Sequence, residues 1–267
     1  MALRRRRPVP TLHPSEQSLL EALAAVRVAT VAQLTRAHVT EHQAPDLETA
    51  SRTVRKNLAR LMTFGLVRRF VNTARDRKVG PAGHVYVLTN VGARLAGRPE
   101  ALGLRQRKIW HPSQLAVDHW LSITDLYADL RAEAADGNLT IREFRVEGDA
   151  RRMYRDSYGA EHMLRPDALV RLTSGDMQLS WFAEMDRATE SPRRIADKCR
   201  RYRAYELTDL EYRQHGVFPG VVFIVPNEVR SRVIRRVIAA QPPEARGLFW
   251  VTTKTDAIKA LTHPNLT

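Results

Sequence analysis

A chain of 267 residues, 43% of them hydrophobic, is long enough to bury a core and to hold two domains, and its single cysteine, Cys199, excludes an intrachain disulfide and a cysteine-based zinc site. No run reaches the length of a membrane-spanning helix and the four arginines of residues 1–14 are followed by no apolar stretch, so the expectation is a cytoplasmic protein with neither a secretory signal nor a membrane partner. The net charge of +14 asks for a polyanionic partner and is lopsided: residues 1–110 hold 20 Lys and Arg against 7 Asp and Glu, residues 111–267 hold 23 against 22.

Residues 1–14 read as a basic, flexible tail. Ser15 reads as the cap of a first helix with Leu19, Leu20 and Leu23 inward, and a second short helix starts near Thr30. After the break at Ala44-Pro45-Asp46, a longer helix is predicted by Ala50, Val54, Leu58 and Leu61, whose four-four-three spacing makes one buried stripe. Its opposite side carries Arg52, Arg55 and Lys56, with Arg60 near the edge. Gly65 ends it. A strand over 66–71 with Arg68 and Arg69, a loop with Arg75, Arg77, Lys78 and Gly80, and a strand over 84–88 then complete the order of a winged helix-turn-helix, spanning residues 15–98. In that arrangement the third helix enters the major groove of double-stranded DNA and the basic hairpin follows the backbone or minor groove. The competing account is an ordinary amphipathic helix with a solvated charged face.

Residues 99–112 read as a linker, and residues 113–267 as a second domain. Ser113 caps a helix with Ala116, Trp120, Ile123, Tyr127 and Leu130 on one face and Asp118, Asp125 and Asp129 on the other, a stripe expected to be solvated. Strands are predicted over 140–146, 167–172, 179–186, 220–225 and 248–252, and helices over 192–207 and 228–240. Strands alternating with helices indicate an α/β sheet, parallel or mixed, with the doubly apolar run Val221-Val222-Phe223-Ile224-Val225 as a central strand. Cys199 shares helical spacing with Ile195 and Tyr202 and reads as a core residue.

Two acidic stations carry the candidate chemistry: Asp167 at the start of one strand, Glu184 and Asp186 at the end of the next. Residues two apart in a strand share a side, so Glu184 and Asp186 converge by spacing and a neighbouring strand could add Asp167. Like charges about 4 Å apart repel by roughly 4 kcal/mol at an effective dielectric near 20, so such a cluster needs a proton, a cationic side chain or a metal. Lys198, on a stripe with Arg194 and Arg201, could approach if its helix packs beside the strand, and Arg187 is adjacent in sequence. His111 and His119 read as structural or exposed. Phosphate-binding loops of the Gly-x-x-x-x-Gly-Lys type and Gly-x-Ser-x-Gly elbows are absent from the sequence.

The order Pro166-Asp167, Glu184-x-Asp186-Arg187-x-Thr189-Glu190, then a basic helix with Tyr202 and Tyr205, behind a winged helix, resembles the replication-relaxation family of plasmids and integrative conjugative elements, over about residues 15–225. The second half is similar to the restriction-endonuclease-like fold of PD-(D/E)XK nucleases. The resemblance implies an α/β chain, α+β overall, with a winged helix followed by a nuclease-like domain around a central mixed sheet. It implies a DNA-binding protein acting in replication, mobilisation or their regulation, with double-stranded DNA, replication or conjugation proteins and a second copy of the chain as partners. It also implies Asp167 and Glu184 as metal-holding acids. The motif's lysine position is occupied by Asp186, which leaves two outcomes: a Mg²⁺-dependent nuclease or nickase using Asp167, Glu184 and Asp186 with Lys198 as the substitute cation, or a domain that keeps the fold without cleavage. A transcriptional regulator is the further alternative.

Overall fold

Helix α1 (Pro14–Ala25) starts one residue before the serine expected to cap it. Pro14 takes the first turn, where its missing N–H costs nothing, and the Glu16 carboxylate accepts from the His13 backbone N–H at 2.9 Å; the Ser15 hydroxyl instead accepts from Asn57. The computed structural model describes residues 11–38, 46–71, 83–97 and 113–264. The expected linker, most of the tail, His111 and the loop residues Arg75, Arg77 and Lys78 lie outside the described residues.

Strand β1 (Ala29–Thr30), helix α2 (Val31–His38), helix α3 (Leu47–Thr63), strands β2 (Val67–Val71) and β3 (His84–Leu88) and helix α4 (Asn90–Leu95) follow. Asp46 caps α3 by accepting from Thr49 N–H at 2.7 Å, and the predicted stripe Ala50, Val54, Leu58 and Leu61 is the buried one. The strands form an antiparallel sheet in the order β1-β3-β2. Gly92 lies so close to the Leu66 carbonyl that an added Cβ would stand 2.1 Å from its oxygen, which fixes α4 against the turn between α3 and β2.

Helix α5 (Gln114–Ala134), capped by Ser113, is buried on two sides, not one. Ile123 and Leu130 face inward as expected, but so do Val117, Leu121, Ser122, Thr124, Leu126 and Ala128, because one apolar core runs from α1 and α3 through α5 to the large sheet. The Asp stripe is half-exposed, but each of its carboxylates is also paired. Asp125 accepts from Gln33 Nε2 at 2.8 Å and from Arg36 at 2.9 Å, Asp129 pairs with Arg36 at 2.7 Å, and Asp118 pairs with Arg187 at 3.2 Å.

Strand β4 (Leu139–Val146), the hairpin β5 (Arg152–Arg155) and β6 (Glu161–Leu164), strands β7 (Ala168–Ser174) and β8 (Met177–Met185), helices α6 (Pro192–Glu206) and α7 (Leu210–His215), strand β9 (Gly220–Val225), helices α8 (Glu228–Ala239) and α9 (Pro243–Arg246), strand β10 (Phe249–Thr253) and helix α10 (Ala257–Thr262) complete the fold. The class is mixed α/β, with a central sheet in the order β10-β9-β8-β7-β4, parallel from β10 to β8 and antiparallel from β8 to β4. One face packs on α5 and α10. The other packs on α6 and α8, and β9 is buried between them from Val221 to Val225. The β5–β6 hairpin and the short helices α7, α9 and α10 were not among the predicted elements.

Candidate functional site

The antiparallel register of β7 and β8 pairs Ala168 with Ala183, so the next residue of each strand brings Asp167 opposite Glu184. Alternation along β8 then sends Phe182, Glu184 and Asp186 to the face covered by α6 and α8, while Ala183 and Met185 face α5. The acidic stations are thus adjacent. Each carboxylate, however, is answered by its own partner.

Asp167 accepts from the Met185 backbone N–H at 2.7 Å and contacts His119 Nε2, on α5, at 3.1 Å. Glu184 is 3% exposed; Lys198 Nζ donates to it at 2.7 Å and the Tyr202 hydroxyl at 2.5 Å. Lys198 also pairs with Glu190 at 3.0 Å. Asp186, past the end of β8, is buried against Arg230 of α8, and its Oδ1 also accepts from Ala188 N–H at 2.7 Å. That last bond holds Ala188 at φ +60°, a left-handed conformation that costs a non-glycine residue about 1–2 kcal/mol.

The protonation balance follows from burial and neighbours. Burial pushes the Glu184 carboxyl up to about 7, the charge of Asp167 acts in the same sense, and Lys198 and Tyr202 oppose both. Burial disfavours the charge on Lys198, yet the charge and hydrogen bond of Glu184, with Asp167 and Glu190, outweigh it and hold the ammonium above the ordinary lysine range. His119 is likewise raised: burial works against its charge, and Asp167, with Glu147 and Glu184, overcomes it. Burial also pushes the Cys199 thiol up to about 12, in keeping with a core residue.

Of the residues expected to share a metal, the structure brings Asp167 and Glu184 together and directs Asp186 to Arg230. Among the described residues no group of three or more His, Cys, Asp and Glu is arranged to hold a metal ion. The positive charge beside Glu184 and Glu190 is the part-buried Lys198 ammonium. Lys198 therefore reaches the acids as expected, whereas Arg187 turns away to the Leu115 carbonyl and Asp118. His119, Glu190, Tyr202 and Arg230 complete the network. Tyr202 was legible only as a core residue, and Arg230 gives no local signal because its contact is made through the parallel pairing of β8 with β9.

The N-terminal basic residues fall into two groups. Arg52, Arg55 and Lys56 are exposed on α3, with Arg52 only loosely paired to Glu48 at 3.5 Å, and Arg68 and Arg69 are exposed on β2. Arg60 is used internally. It grips both Glu16 oxygens at 2.9 Å and lies over the Phe64 ring, tying α3 to α1. This half meets the second through Gln33 donating to the Leu121 carbonyl at 2.8 Å, Thr124 donating to the Val28 carbonyl at 2.6 Å, and Glu147 held by Arg27 and the Trp120 indole N–H.

The profile of a family described as replication-relaxation matches residues 20–221, from α1 into β9. No curated protein and no solved structure matches the chain significantly. No helix among the described residues is long and apolar enough to cross a membrane.

Proposed function

The chain belongs to the replication-relaxation family, and from that premise we propose that it is a DNA-binding protein serving the replication or mobilisation of a plasmid or integrative conjugative element. Its DNA reader is the N-terminal unit, read as a winged helix, with α3 as the helix that enters the groove. The observation that carries this is the division of α3: Ala50, Val54, Leu58 and Leu61 are buried while Arg52, Arg55 and Lys56 point outward, in the half of the chain that holds nearly all the excess positive charge. Arg68 and Arg69 on β2 extend the same charge onto the sheet edge. The second unit is nuclease-like in its acid placement, but its carboxylates serve as a clasp. Asp167 joins β8 to α5 through His119, Glu184 joins it to α6, and Asp186 joins it to α8.

The test is a duplex-binding titration across salt. If about six phosphates are engaged, log affinity falls against log salt with a slope of roughly −5, and R52A/R55A/K56A lowers the slope's magnitude by about one per residue. Binding that ignores salt, or that ignores the triple variant, rules this reading out.

A further inference from the structure

The near-neutral balance of residues 111–267 conceals a second segregation of charge. Residues 191–240 carry 11 Lys and Arg against 5 Asp and Glu, while 111–190 and 241–267 together carry 12 against 17. The basic stretch includes α6 and α8, the consecutive crossovers from β8 to β9 and from β9 to β10, which pack on one face of the sheet over a shared core with Ile195, Cys199, Tyr202, Ile234 and Ile238 inward. The inward stripes decide what remains outside. Arg193, Arg194 and Arg201 on α6 and Arg232 and Arg236 on α8 are exposed, and none of the five makes an ion pair or side-chain hydrogen bond among the described residues. Other arginines of this half are engaged: Arg152 and Arg171 hold Glu211, Arg187 holds Asp118, and Arg230 holds Asp186.

The position of two of these arginines runs against helix electrostatics. The first turn of α6 contains Arg193 and Arg194 and no acidic residue, at the end where the helix dipole is positive and carboxylates are favoured. A polyanion laid across the helix reverses that penalty. Guanidinium forks match phosphate oxygens in pairs without reading base edges, so the fitting partner is a nucleic-acid backbone of any sequence.

The opposite face of the central sheet is covered by α5, on which the N-terminal unit with α3 is packed. The two basic surfaces therefore lie on opposite sides of the sheet. We propose that the α6–α8 face is a second DNA-backbone site and that the protein holds two DNA segments at once, one on each face. This rests on the reading of α3 as a DNA contact.

The experiment immobilises one duplex, adds the full-length protein, and measures capture of a second, fluorescent duplex of unrelated sequence, alongside anisotropy for single-duplex affinity. The wild type captures the second duplex at low salt. R193E/R194E/R232E/R236E loses capture by about tenfold or more while its affinity for a single duplex falls by less than about threefold. R232E/R236E alone, with its melting curve, serves if the quadruple variant does not fold. Capture that survives charge reversal in a folded variant overturns the proposal. So does binding of polyglutamate but not DNA to this face, which would assign it to an acidic protein. Loss of capture on α6–α8 reversal, together with full affinity in R52A/R55A/K56A, would keep the second site and overturn the α3 reading instead.

Discussion

Arg230 closes on Asp186 with two parallel bonds, Nε to Oδ1 at 2.8 Å and Nη2 to Oδ2 at 2.7 Å, and its Nη2 also donates to the Glu190 carbonyl at 2.8 Å. The pair bridges the end of β8 to α8 and removes Asp186 from the acid cluster. Both side chains are almost wholly buried, at 10% and 2% exposure. Arg230→Ala leaves a buried carboxylate without its cation and lowers the unfolding free energy by about 3–5 kcal/mol in urea denaturation; Asp186→Leu with Arg230→Met restores most of it. A loss below about 1 kcal/mol would contradict a buried, bidentate clasp.

The stability of the fold declines with rising pH through two groups. Glu184 has its folded value raised to about 7 from an ordinary 4.5, so the folded state binds more protons than the unfolded state between those values and stability falls as pH rises through that window. His119 is raised above 6.5, so its contribution is fully present below that value and is lost as pH rises through the folded value. Denaturation from pH 5 to 8 shows the decline. Glu184→Gln flattens it between about pH 4.5 and 7, and His119→Gln flattens it above about 6.5. An unchanged profile in both variants removes the account of the network.

The acid placement resembles a nuclease, but Asp186 is taken up by Arg230 and Glu184 by Lys198 and Tyr202. Supercoiled plasmid incubated with the protein and Mg²⁺ or Mn²⁺ is expected to stay supercoiled. Nicking that disappears in Asp167→Ala and Glu184→Ala would show that these two acids hold a metal after all, in a donor arrangement different from the one described.

Gly92→Ala drives a Cβ to within 2.1 Å of the Leu66 carbonyl oxygen, a backbone atom that no side-chain rotation can move. The expected cost is about 3 kcal/mol, at the upper end for overpacking, read as a lowered denaturation midpoint. A neutral outcome would mean that α4 is free to shift away from the turn between α3 and β2.

The order of α3, the strands around it and the alternating elements from β7 to β9 was legible because periodicity carries it: four-four-three spacing for a one-sided helix, continuous apolar residues for a strand covered on both faces. Helix α5 is buried over more of its circumference than a single apolar stripe indicates, because it packs between two layers and keeps only a narrow, part-exposed polar stripe. Its aspartates looked solvated, yet their partners Gln33 and Arg36 lie on α2, about 90 residues earlier. The candidate site was half legible. Asp167 and Glu184 follow from strand alternation and register, and Lys198 from helical spacing. Arg230 and His119 do not, because they arrive from α8 and α5 through tertiary packing that no local pattern encodes. The true start of α1 was missed for a smaller reason: Ser15 has the chemistry of a cap, but Pro14 had already begun the helix.

Whether the exposed cations of α3 hold duplex DNA is decided by fluorescence anisotropy of a duplex titrated with wild-type protein and with R52A/R55A/K56A at several salt concentrations. The expected log–log slope is roughly −5 for the wild type and roughly −2 for the variant, with both proteins equally folded by circular dichroism. Equal slopes and equal affinities for the two proteins would contradict it.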